Sequence, residues 1–443
     1  MIKPSSIFFL LIVSGAFSRA QKISHYDSAM KKYQLGDYTG AIKEYDLEIE
    51  QKPAFHKSYI DRGLAKAALG NYKNAILDYN KSIELNSGDE RAYLAKARSL
   101  KSLENYKAAI INFNLAIKLN PEYDLAFYYR GQTRKILKDY KGAMNDYNKS
   151  IQLYSSNQDV YVSRGNLFDD LGNYKAAIID YDKAIKLNPK DALAFYNRAN
   201  TKNKMGRNDE AVKDYSKAIE LNKNNPDAFY MRGLLKYKSN EFGSSLNDFI
   251  EACKLNPNDE MTYLHIGMAY SKLNEKELAS KWFNEAIHIN SKNTICFFER
   301  GNFRYHIYQY DSALSDFNKA VVLDSKDPNL YNQRGNVYLK LNQFNNAVVD
   351  FTKEINLKPD EDIAFYNRGL AFFNLESWKE AMDDFTKSIS INSGNSKCYY
   401  YRGQCEIKMN LKNKACQDFN SAKDLGFEEA EKSINQYCKY KNY

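Results

Sequence analysis

The sequence predicts an all-α solenoid of twelve antiparallel helix pairs, and three columns of residues carry the prediction. Small residues recur every 34 positions: Ala29, Gly63, Ala97, Gly131, Gly165, Ala199, Gly233, Gly267, Gly301, Gly335, Gly369 and Gly403. A second column keeps the same phase, from Ala41 and Ala75 through Ser245 to Ala381 and Ala415. A third is aromatic throughout, from Tyr45 and Tyr79 through Phe113 to Phe385 and Phe419. No insertion or deletion interrupts the count, so the units tile residues 22–429.

Residues 56–89 show how one unit is built. Tyr59, Gly63, Lys66 and Ala67 fall at helical spacing, and Gly70 is placed to end that helix in a left-handed cap. Asn71 stands at the N-cap of a second helix, in which Ala75, Tyr79, Ser82 and Ile83 recur every three to four residues. Asp37, Asn105, Asp139 and Asn173 hold the same capping place in other units. Pro53, Pro121, Pro189, Pro257 and Pro359 then stop the second helix before the next unit. Small residues are expected to let the helix backbones approach, with aromatic rings filling the gap between neighbouring units. One pair cannot bury its own apolar face, so stability comes from stacking.

The ends of the chain differ. Lys3, the apolar run from Ile7 to Phe17 and the small residues Ser18 and Ala20 have the build of a secretory signal peptide, residues 1–20, with cleavage after Ala20. A bilayer-spanning helix needs roughly 20 apolar residues, more than this run supplies, so no stable membrane insertion is expected and the destination is periplasmic or secreted. Residues 430–443 carry Ile434, Tyr437 and Cys438 on one side and are expected to form a C-terminal capping helix. The formal net charge of +9 is mild for 443 residues and does not point to nucleic-acid binding. The six cysteines form no framework and no zinc pattern. Cys405 and Cys416 occupy facing places on the last pair; they either form a disulfide after export or remain two small buried thiols.

The pattern of an aromatic, a small residue four later, alanine twelve after that, another aromatic and a terminal proline resembles the tetratricopeptide repeat family over residues 22–429. The resemblance implies a right-handed superhelix with a concave groove lined by the first helices. The chain departs from the family pattern before the small residue, where leucine is usual. Nine repeats place arginine there and aspartate fifteen after the small residue: Arg62 with Asp78, Arg130 with Asp146, Arg164 with Asp180, Arg198 with Asp214, Arg232 with Asp248, Arg300 with Asp316, Arg334 with Asp350, Arg368 with Asp384 and Arg402 with Asp418. The other three repeats lack both and read Ser28/Glu44, Lys96/Asn112 and Ile266/Trp282. Such co-occurrence predicts a structural ion pair inside each repeat rather than a charged ladder offered to a ligand.

No nucleophile elbow, phosphate loop or metal-ligand spacing occurs, so no enzyme activity, metal or cofactor is expected. His265 and His306 fall on adjacent first helices without further ligands. The expected site is the groove. Positions three before the small residue include Tyr128, Tyr196, Tyr230, Phe298, Tyr366 and Tyr400; positions one after it include Asn166, Asn200, Asn302 and Asn336. Amides suit the backbone of an extended peptide and rings its side chains, although tyrosine and asparagine are also simply abundant in this chain. A lysine series at the ends of first helices, with Lys135, Lys204 and Lys272 among its members, fits helix-dipole complementation better than a polyanion track. The reading is an exported scaffold or adaptor for a peptide or protein segment. A surface-polysaccharide-binding solenoid, or a non-catalytic subunit of a separate enzyme, are the alternatives.

Overall fold

A computed structural model describes residues 24–438; the segment read as a signal peptide lies outside them. Twelve helix pairs follow one another, from His25–Gln34 with Tyr38–Gln51 to Ser396–Lys408 with Lys412–Asp424, and are called repeats 1 to 12. A short helix, Glu429–Ser433, and a π-helical turn, Ile434–Cys438, come last. No strand occurs among the described residues. The chain divides into two compact units, Met1–Asp214 and Tyr215–Tyr443.

Capping explains why the pairs break where they do. Asp37 and Asp139 accept from the backbone N–H groups of Gly40 and Gly142 at 2.8 and 2.9 Å, and Asn105 and Asn173 accept in the same way at 3.3 Å. Asn71 holds the equivalent position without a side-chain bond. Between the two helices of every repeat one residue has positive φ: glycine at 36, 70, 172 and 206, and Glu104, Lys138, Asn240, Asn274, Tyr308, Asn342, Glu376 and Asn410 in the others. At Gly70 this conformation lets the N–H groups of Gly70 and Asn71 return to the carbonyls of Ala67 and Lys66, both at 2.9 Å, which closes the first helix.

The core of each repeat is a single ring. All twelve members of the aromatic column are essentially fully buried. The ring lies directly over the small residue of its own repeat: a Cβ added at Gly63 would sit 2.5 Å from the Tyr79 ring, and one at Gly335 2.7 Å from Phe351. Ring insertion within the pair, rather than close approach of bare backbones, therefore sets the requirement for a small residue. Burying each ring contributes roughly 1.5–3 kcal/mol.

The nine arginines do more than pair within a repeat. Arg334 donates through Nε and Nη2 to both oxygens of Asp350 at 2.7 Å, and its Nη1 donates to Asn318 Oδ1, on the second helix of the preceding repeat, at 3.0 Å. The same three-way contact recurs at all nine, with Asp46, Asn114, Asn148, Asp182, Ser216, Asn284, Thr352 and Thr386 as the other backward acceptors. Each guanidinium thus staples its own pair and the pair before it. Repeat 8 replaces all three members together: Ile266 packs with Trp282 and with Ile250 of repeat 7. In repeat 1 Glu44 takes Lys32 and His25 instead, each at 2.7 Å, and in repeat 3 Asn112 donates to the Ala108 carbonyl.

The C-terminal end corrects one expectation. The disulfide joins Cys416 to Cys438, not to Cys405. Cys405 is fully buried and packs back against Ala381 and Phe385 of repeat 11, where burial pushes its thiol up to about 12. Cys416, on the second helix, faces the terminal segment instead, and that segment covers the end of the stack. Tyr437 stacks on Phe419, and Gln404 donates to Ser433 Oγ at 3.0 Å.

Candidate functional site

The inward rows of the first helices separate into residues that finish the core and residues that line open space. The aromatics three before the small residue belong mostly to the core. Tyr230, Phe298, Tyr366 and Tyr400 lie 5.8–6.1 Å from the buried rings Phe249, Phe317, Phe385 and Phe419 of their own repeats. Tyr128 is buried, 6.4 Å from the Tyr147 ring, and its hydroxyl accepts from Gln132. Tyr196 and Asn200 are half-buried. Two of the asparagines are held by neighbours: Asn166 accepts from Tyr181 Oη at 2.8 Å and from Asn197 Nδ2 at 3.0 Å, and Asn336 donates to Asn332 at 3.0 Å.

Asn302 alone among the ten lines the cavity of about 550 Å³ in the second unit. That cavity is built by the first helices Pro226–Lys238, Glu260–Lys272, Thr294–His306 and Pro328–Lys340, of repeats 7 to 10. Its lining comprises Tyr237, Met268, Ser271, Lys272, Glu299, Asn302, Phe303, Tyr305, His306 and Gln333, with Phe283 of the core behind them. Glu299, Asn302 and His306 share one helical face by their i, i+3, i+7 spacing. Burial holds the Glu299 carboxyl above the usual carboxylate range, while Asn302 and the Lys272 charge draw it back. The Tyr237 hydroxyl is pushed up by burial and then by the negative charge of Glu299.

The sequence places Asn197, Gln333 and Asn367, two before the small residue, near the groove, but does not single out Glu299 in the same row. The structure brings that row into the cavity as well. In repeats 7 to 12 that row reads Met231, His265, Glu299, Gln333, Asn367 and Tyr401, and its one acidic member was the available signal.

The first unit holds a smaller cavity of about 300 Å³ lined by Tyr26, Met30, Tyr33, Gln34, Tyr45, Asp61, Leu64 and Arg91. Asp61 stands in the same row as Glu299. Here the carboxylate is engaged: Tyr26 Oη donates to it at 2.5 Å, and the charge of Arg91 opposes the upward push of burial on its protonation. Two members of the lysine series are engaged too, Lys135 with Asp170 at 2.8 Å and Lys204 with Asp169 at 2.5 Å.

Stacked helical hairpins with inward-facing cavities, and no strand among the described residues, define a helical-repeat protein. Family models described as "TPR repeat" match residues 165–206, 199–240 and 309–342, and models described as "Tetratricopeptide repeat" match 56–89, 90–123, 262–293 and 328–361. The chain belongs to the tetratricopeptide-repeat family. No curated protein matches the sequence. Among solved structures it is similar to a tetratricopeptide repeat protein from Parabacteroides merdae, at 20% identity over 55% of this chain and 97% of that one, TM-score 0.43. It is also similar to yeast Tom70, at 18% identity over 92% and 93% of the two chains, TM-score 0.40. YrrB, described as a TPR protein with an unusual peptide-binding site, is 23% identical over 40% of this chain and 92% of its own, TM-score 0.38. These likenesses concern the repeat fold.

Proposed function

We propose that the protein is an exported scaffold or adaptor that holds a segment of polypeptide against the first helices of its repeats. The observation that supports this reading is the cavity of about 550 Å³ in repeats 7 to 10, where amides, a carboxyl group and aromatic edges converge on open space. Asn302 and Gln333 can each donate to and accept from a peptide backbone, and Tyr237, Phe303 and Tyr305 offer apolar surface to its side chains. The row of tyrosines expected to stack on a glycan gives less support to that reading, because Tyr230, Phe298, Tyr366 and Tyr400 lean on core rings.

Peptides selected from a random library on the full chain, then fitted with a photo-crosslinker, test the reading. Crosslinks are expected on the first helices of repeats 7 to 10. Crosslinks confined to second helices or loops would remove the cavity as the site. Export rests on the leader-like residues 1–20, and no helix among the described residues is long and apolar enough to cross a membrane. N-terminal sequencing of protein from its host is expected to begin at Gln21, and a chain still beginning at Met1 would refute export by cleavage.

A further inference from the structure

We propose that the cavity of repeats 7 to 10 receives a positively charged side chain, lysine or arginine, from an extended polypeptide, with Glu299 as its counter-ion. The inference rests on the peptide-binding reading above and adds the chemistry of the bound residue.

The first ground is an unmatched charge. Each of the nine aspartates of the arginine column accepts two hydrogen bonds from its guanidinium, and Asp61 in the other cavity accepts from Tyr26. Glu299 faces the cavity, and among the described residues no lysine, arginine or histidine stands within ion-pair distance of it. Its hydrogen-bonding neighbour is the neutral amide of Asn302, so the carboxylate lacks a counter-ion, and an incoming cation supplies one.

The second ground is the rest of the lining. Tyr237 and Tyr305 bring aromatic rings to the cavity, the surface on which an ammonium or guanidinium is held by the ring quadrupole. Met268 and Phe303 give the aliphatic stem of such a side chain an apolar track, and the side-chain oxygens of Asn302 and Gln333 can accept its remaining N–H groups. One cation of the chain's own lines the same space. Lys272 is exposed and sits in the last turn of its helix, where the helix dipole favours it, so it opposes an incoming cation weakly and from the solvent side. Burial also keeps the Glu299 carboxyl above its ordinary range, so cation binding draws a proton off it and weakens as pH falls.

The test uses the peptides selected from the random library, with E299Q and K272A variants of the full chain and circular dichroism as the folding control. Selected sequences are expected to share a lysine or arginine. E299Q should weaken their binding roughly ten- to a hundred-fold, the range for a hydrogen bond to a charged group. K272A removes the chain's own cation from the cavity and should tighten binding, a readout that does not depend on E299Q folding well. Peptides that crosslink to the first helices but carry no basic residue, or that lose affinity on K272A and gain it on E299Q, would overturn the charge assignment and leave the peptide reading intact. A library that yields no binder at all would overturn both.

Discussion

Repeats 5 and 9 share a frame and differ on their inner face. Both carry the arginine staple: Arg164 with Asp180 and Asn148, Arg300 with Asp316 and Asn284. Both place asparagine directly after the small glycine, at Asn166 and Asn302. In repeat 5 the core ring is Tyr181, whose hydroxyl donates to Asn166. In repeat 9 the core ring is Phe317, which has no hydroxyl, and Asn302 is left at the edge of a cavity beside Glu299. One oxygen atom in the core column thus decides whether the inward amide of these two repeats is tied to the core or turned to Glu299 at the cavity. Repeats 7 to 12 carry phenylalanine at every position of that column, whereas five of the first six carry tyrosine. The difference teaches that a repeat can keep its packing and change its inner surface by a substitution invisible from outside.

The largest expected effect falls on the shared frame. Arg164→Ala strands Asp180, whose side chain is 4% exposed, and should destabilise by about 3–5 kcal/mol. Arg300→Ala should cost clearly less, because Arg304 still reaches Asp316 at 2.8 Å, whereas repeat 5 has Phe168 at that place. Urea denaturation of the two variants checks this; equal losses would mean that the second guanidinium contributes nothing.

A middle-sized effect separates the two inter-helix turns. Gly172 has φ 75° and Tyr308 has φ 65°, a region that costs a residue with Cβ about 1–2 kcal/mol. Tyr308→Gly should therefore raise the denaturation midpoint, offset in part by the greater unfolded-state freedom of glycine. Gly172→Tyr should lower it, although nothing lies within 4 Å of the added Cβ, because the strain is in the backbone alone. A loss at Tyr308→Gly would show that the tyrosine ring, 6.3 Å from Tyr310, outweighs the strain.

The smallest effect in stability sharpens the comparison most. Tyr181→Phe removes the bond to Asn166 and should cost about 0.5–1.5 kcal/mol. Phe317→Tyr should place a hydroxyl toward Asn302 and reduce peptide binding with little change in melting. If Phe317→Tyr binds as wild type does, the core column does not govern the cavity.

Much of the fold was legible because its interactions are local in sequence. A ring sixteen residues after a glycine, and an aspartate sixteen after an arginine, recur at fixed separation within one hairpin, so the period exposes them. The backward contact of each arginine is just as regular: Ile250 replaces the polar acceptor where Ile266 replaces arginine, a signal present in the sequence. The site was less legible. Helical spacing puts Asn302 and Gln333 on the inward side but does not show that they meet Glu299 at one cavity.

The disulfide shows the same limit. Facing places on one hairpin pointed to Cys405 and Cys416, but the first helix turns Cys405 back toward repeat 11 while the terminal turn brings Cys438 to Cys416. By itself the sequence determined the helix pairs, their boundaries, the buried ring column and the Arg–Asp partners, because each follows from the 34-residue period and the geometry of a single hairpin. Only the tertiary structure decided which inward residues enclose a cavity, that Glu299 lines it without a counter-ion within ion-pair distance, and which thiols met. Those depend on how successive hairpins rotate past one another, a sum of small packing choices that no single period records.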